Sequence, residues 1–135
     1  MKTFVISAVS IVLVGILLCT MAMAAPTMPA DLQMVQPDPS LPKELSAFFG
    51  KWQSLRYPET FFVIVEKIDE EKASLYIWFY ASTETPAVVW TRREAQVIKE
   101  RGKYKLWTIG RFGNAEYTLK GEYLVVGTER LKRVE

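Results

Sequence analysis

Side chains able to do chemistry are few in this chain, and their types narrow what they can do. Histidine is absent, which removes Ser-His-Asp and Cys-His arrangements together with the commonest general base. The single cysteine, Cys19, lies in an apolar N-terminal run. A chain processed after residue 24 therefore has no thiol for a disulfide, a nucleophile or a metal. A transition-metal site would have to use oxygen ligands alone, and no phosphate loop or dinucleotide fingerprint occurs, so neither metal nor cofactor is expected. What remains for acid–base work is a facing pair of carboxylates. Glu66, Glu84, Glu94 and Glu116 fall in or near strand-like segments, but nothing in their spacing sets two apart as a pair. No catalytic residue is assigned, and the chain is read as a non-enzyme.

The aromatic residues are more informative. Ala73 to Ser82, "ASLYIWFYAS", is apolar on both faces of a strand, with Leu75, Ile77 and Phe79 on one and Tyr76, Trp78 and Tyr80 on the other. One set must enter a core; the other is covered by a partner, by the N-terminal turn, or by nothing. An outward Tyr-Trp-Tyr face is an aromatic strip of the kind that stacks on sugar rings or anchors a protein interface. The plainer alternative is that these larger rings fill the core and the aliphatic face is covered. Trp90 alternates onto a face with Arg92, and Trp107 with Lys105 and Ile109. With Arg93, Arg101, Lys103 and Arg111 these residues suit a carboxylate or phosphate head group, unless they are scattered surface cations. Tyr76, Trp78, Tyr80, Trp90, Arg92 and Trp107 are thus the candidate ligand-binding residues, rings supplying affinity and a cation orientation. Seventeen basic residues against fifteen acidic ones leave a net charge of only +2, which is no footprint for nucleic acid.

The elements that must position these residues begin after an export signal. Met1-Lys2 is a short positive region, Phe4 to Met21 is apolar, and Ala22-Met23-Ala24 is an A-x-A cleavage site. Residues 1–24 are read as a signal peptide, and the protein as periplasmic or secreted. If uncleaved, residues 4–25 are about long enough to anchor it in a bilayer; membrane contact is otherwise not expected. Residues 25–42 carry five of the seven prolines and read as an extended, semi-rigid spacer. "PKELSAFF" then forms one or two helical turns with Leu45, Phe48 and Phe49 on an apolar side, too short to stand alone.

From Trp52 onward the apolar period is two. Thr60 to Ile68 and Ala73 to Ser82 form a hairpin through Asp69-Glu70-Glu71-Lys72. Further strands are expected at 87–93, 95–99, 104–111, 115–119, 122–128 and 131–134, with turns at Pro86, Gly102, Gly113-Asn114 and Lys120-Gly121. Eight or nine short antiparallel strands with almost no helix describe an all-β meander, which closes best into a small up-and-down barrel without a free edge.

A helical turn, then Gly50-Lys51-Trp52 at the start of the first strand, then such a barrel ending in "TERLKRVE", resembles the lipocalin and wider calycin superfamily, in its compact exported bacterial form. The resemblance covers residues 43–135. It implies that Trp52 closes one end of the barrel, that Gly50 lets the backbone turn beside it, and that Arg130 or Arg133 lies across the indole. It departs from a full-size lipocalin in its shorter length, the lack of a Thr-Asp-Tyr-type loop and the lack of a long helix before the last strand. Eight strands enclose space for side chains or for one small ligand. The expected function is capture of a small apolar or amphipathic molecule at the open end. The alternative is an envelope interaction or inhibitor module whose exposed aromatic strip meets a protein partner.

Overall fold

A computed structural model of the protein describes residues 27–79, 90–110 and 113–135. The export signal expected at 1–24, Tyr80, Glu84, the turn expected at Pro86 and Arg111 lie outside the described residues. After one helical turn, α1 (Lys43–Ser46), come eight strands: β1 (Gly50–Ser54), β2 (Phe61–Ile68), β3 (Lys72–Phe79), β4 (Thr91–Glu100), β5 (Lys103–Gly110), β6 (Gly113–Lys120), β7 (Tyr123–Val126) and β8 (Glu129–Val134). Each pairs antiparallel with the next, and β8 returns to pair with β1, closing the barrel in strict up-and-down order. Closure gives every strand two partners, which removes the exposed edge an open meander would leave.

One expectation is corrected. The strands anticipated at 87–93 and 95–99 are parts of a single strand, β4, as far as they are described. Glu94 looks like a break in the apolar pattern, but a strand wet on one face places Arg92, Glu94 and Gln96 outward while Ala95 is buried and Val97 packs on the core. β7 is likewise shorter than the 122–128 expected.

Alternation along the strands fills the interior. Trp52, Val63, Val65, Leu75, Ala95, Leu106, Tyr117, Leu124 and Leu131 form the core with Leu45 and Phe48 of the helical turn region. Trp52 is the largest fully buried side chain, and its indole Nε1 donates to the Phe48 carbonyl at 2.9 Å. That bond ties the turn across the end of the barrel where β1 begins. At the opposite rim Phe79 is 62 % and Ile109 70 % exposed.

β2 departs from regular pairing in one place, and the site depends on it. Val65 faces Leu75 and Lys67 faces Ser74, so Glu66 sits in a β-bulge. The extra residue returns Ile68 to the interior, where it is 4 % exposed. Glu66 itself is left on the outer wall with its carbonyl free of the ladder, and the Val35 amide donates to that carbonyl at 2.8 Å. The proline-rich stretch is therefore extended but docked: its residues 27–35 cross the outside of β2, β3 and β4 as a strap. It continues to Leu41, which belongs to the core.

Candidate functional site

The outer faces of β2 and β3 are apolar, which is unusual for a barrel wall in water. Phe62 and Ile64 lie opposite Trp78 and Tyr76 on the neighbouring strand, and Phe62, Ile64 and Tyr76 are buried to within 4 %. Period-two geometry explains the placement: Leu75 and Ile77 of the same strand pack on the core, so Tyr76 and Trp78 must point out. The strap covers this wall, held by Trp90 Nε1 donating to the Thr27 carbonyl at 2.7 Å.

A buried carboxylate clamps the arrangement. Glu66, 2 % exposed, accepts Arg92 Nη2 at 2.7 Å, the Ser74 hydroxyl at 2.7 Å and the Gln33 amide of the strap at 3.1 Å. Arg92 also lies over the Tyr76 ring, 5.5 Å from its centroid. Such a charge is tolerated under the strap only because it is paired and multiply hydrogen-bonded.

Between strap residues 27–31 and the wall runs a solvent-open cleft of about 580 Å³, whose floor is Tyr76, Trp78, Trp90 and Arg92. The Trp78 and Trp90 ring centroids are 5.2 Å apart at 56°, and Phe62 stands edge-on to Trp90. Trp78 Nε1 is shielded from water and has no hydrogen-bond partner among the described residues; Tyr76 Oη is equally shielded, makes no bond of ordinary length there, and has the Asp31 carboxylate beside it as its acceptor. Burial pushes the Tyr76 hydroxyl above its ordinary range and the Asp31 carboxylate adds to this, against Arg92. It is a neutral donor at physiological pH.

Four of the six ligand-binding candidates, Tyr76, Trp78, Trp90 and Arg92, thus share one cleft on the outside of the barrel. Trp107 is not among them: it faces Gln96 and Glu116 further round the wall. Tyr80 lies outside the described residues. The basic half of the chain does not converge on an anion site among those residues. Arg92 is taken by Glu66, Lys105 bonds Glu116 at 2.7 Å and Glu100 at 2.9 Å, and Arg93 is on the opposite face, across from Leu75. The described carboxylates of β2, β4 and β6 meet cations rather than each other, with Glu94 3.7 Å from Lys72.

At the closed end, Gly50, Trp52 and Arg133 come together. The Arg133 guanidinium stacks on the indole, 4.3 Å from its centroid, and donates to the carbonyls of Ala47 and Phe49. Arg130 is one strand position out of phase with buried Leu131, and lies over Tyr123 instead, at 5.8 Å. Sequence reasoning missed the clamp by Glu66 and the contribution of Thr27 and Asp31. The one available signal was "VEKI", where Val65 and Ile68 are spaced three apart in a strand of period two. Comparison of the chain with family models, with curated proteins and with solved structures finds no match.

Proposed function

We propose that the protein is an exported, calycin-like binding protein without catalytic activity, and that it captures a small amphipathic molecule in the cleft on its outer wall. The observation that carries this reading is one buried donor lacking an acceptor, Trp78 Nε1, with the Trp78 and Trp90 rings beside it in the cleft. An unpaired buried donor is costly, and a ligand oxygen that displaces the strap from it would relieve that cost. The cleft volume falls in the range of small-molecule sites. The lumen, where a full-size lipocalin would carry its cargo, is occupied here by the protein's own side chains. The grouping of Gly50, Trp52 and Arg133 supports the superfamily resemblance.

A second reading, an envelope interaction module, is favoured by a different observation: Phe79 and Ile109 are largely exposed at the rim opposite the helical turn. Native mass spectrometry of the protein recovered from an exporting host separates the two. An added mass that leaves on denaturation, persists in Trp107→Ala and is lost in Trp78→Ala is expected. Retention of the mass in Trp78→Ala would place the ligand elsewhere, and a bare protein that dimerises would favour the interaction module.

A further inference from the structure

The chemistry of the cleft narrows the ligand, an inference that rests on the outer-wall reading. We infer that the cleft between the strap and the Tyr76–Trp78–Trp90 wall binds an uncharged saccharide. Charge argues first. The only cation on the cleft floor, Arg92, is held by Glu66 at 2.7 Å, while Asp31 on the strap side is exposed. An anionic head group would meet the exposed Asp31 carboxylate and, among the described residues, only a cation already paired with Glu66, so a carboxylate or phosphate ligand is disfavoured.

Shape argues second. The cleft is open along its length and not an enclosed pocket, so an apolar ligand would leave much of its surface in water. A sugar ring suits that geometry, because its C–H face lies on an aromatic plane while its far edge stays hydrated. Trp78 and Trp90, both half-buried with rings 5.2 Å apart, present such a surface.

Hydrogen-bond inventory argues third. Trp78 Nε1 can only donate and has no acceptor among the described residues, while Tyr76 Oη, two positions away on the same face of β3, has the Asp31 carboxylate as its acceptor. Asp31 can only accept when ionised. A ligand hydroxyl can accept from Trp78 Nε1 and donate to Asp31, which an amide carbonyl, an ether or a carboxylate cannot do with one group. Adjacent hydroxyls on one ring therefore match a donor–acceptor pattern that the chain leaves incomplete.

The four tryptophans provide the test. Indole N–H resonances of the full chain are followed by NMR during titration with neutral trisaccharides of glucose and of N-acetylglucosamine, and with decanoate in parallel. The Trp78 resonance is expected to move with a trisaccharide, and that of Trp52, bonded to Phe48, to stay. Tyr76→Phe, which keeps the ring and removes one hydroxyl, is expected to weaken binding by about three- to tenfold, one hydrogen bond's worth, and Trp78→Phe, which also replaces the indole by a smaller ring, by more. Movement of Trp78 with decanoate alone would overturn the saccharide assignment and leave the outer-wall reading standing. No movement of Trp78 or Trp90 with any probe would overturn both, and movement confined to Trp107 would place the site on the far wall.

Discussion

Substituting Gly50 by Ala tests the closed end of the barrel through a single added methyl group. Gly50 has φ of +129°, and a Cβ there would lie 2.5 Å from Arg133 Nη1. The backbone cost of holding an L-residue in that region is about 1–3 kcal/mol. The steric conflict is with the tip of a flexible side chain, so the guanidinium moves aside, but in moving it loses its carbonyl partners and its place on the indole. Those bonds are partly solvated, so each is worth about 1 kcal/mol rather than the fully buried figure, and the stacking about 0.5–1 kcal/mol. Gly50→Ala should therefore cost about 3–6 kcal/mol and Arg133→Ala about 2–3 kcal/mol. With Arg133 already removed the methyl group meets nothing, and only the backbone strain remains. Urea denaturation of the two single variants and the double variant should show the double less destabilised than the sum by about 2–3 kcal/mol, the Arg133 contribution that the sum counts twice. Additivity within about 0.5 kcal/mol would refute the reasoning, because it would mean that Gly50 is required by its φ alone and not by the cation beside it.

Trp52→Ala empties the largest fully buried site and should cost about 3–5 kcal/mol, read as a lowered denaturation midpoint; near-wild-type stability would show that Trp52 does not hold the end closed. Glu66→Ala removes the carboxylate that binds Arg92, Ser74 and the Gln33 amide, so residues 27–35 should become the first site of limited proteolysis while the barrel stays intact; unchanged protection of the strap would contradict the clamp. Burial raises the Tyr117 hydroxyl above the ordinary tyrosine value of 10.0, against opposing effects of Thr108 and Arg93. The folded state thus holds that proton more tightly than the unfolded chain, and its contribution to stability is full below pH 10 and lost as pH rises beyond it. Tyr117→Phe should flatten this alkaline loss, followed by thermal unfolding at successive pH values.

Much of the architecture was legible because it rests on local pattern. Period-two alternation and turn residues located the strands, and the hairpin through Asp69 needed only adjacent segments. The split expected within β4 has one cause: Glu94 interrupts the apolar pattern, whereas an outward polar residue is ordinary where only one strand face is dry. The candidate site was legible in part. The residues Tyr76, Trp78, Trp90 and Arg92 were identifiable by type, but their common location was not, since it depends on a strap that bonds residues as far as 63 positions away in sequence.

The amino-acid sequence by itself determined an all-β meander, the lack of histidine chemistry and the aromatic character of any binding surface, because composition and alternation are properties of neighbouring residues. Only the tertiary structure decided which face of β3 turns outward, that Arg133 and not Arg130 covers Trp52, and that Arg92 is held by Glu66. Each of these follows from barrel closure and from one bulge in β2, which set the phase of every strand relative to the core. A phase shift of one residue exchanges inside for outside, and no local pattern in a strand apolar on both faces records which way it falls.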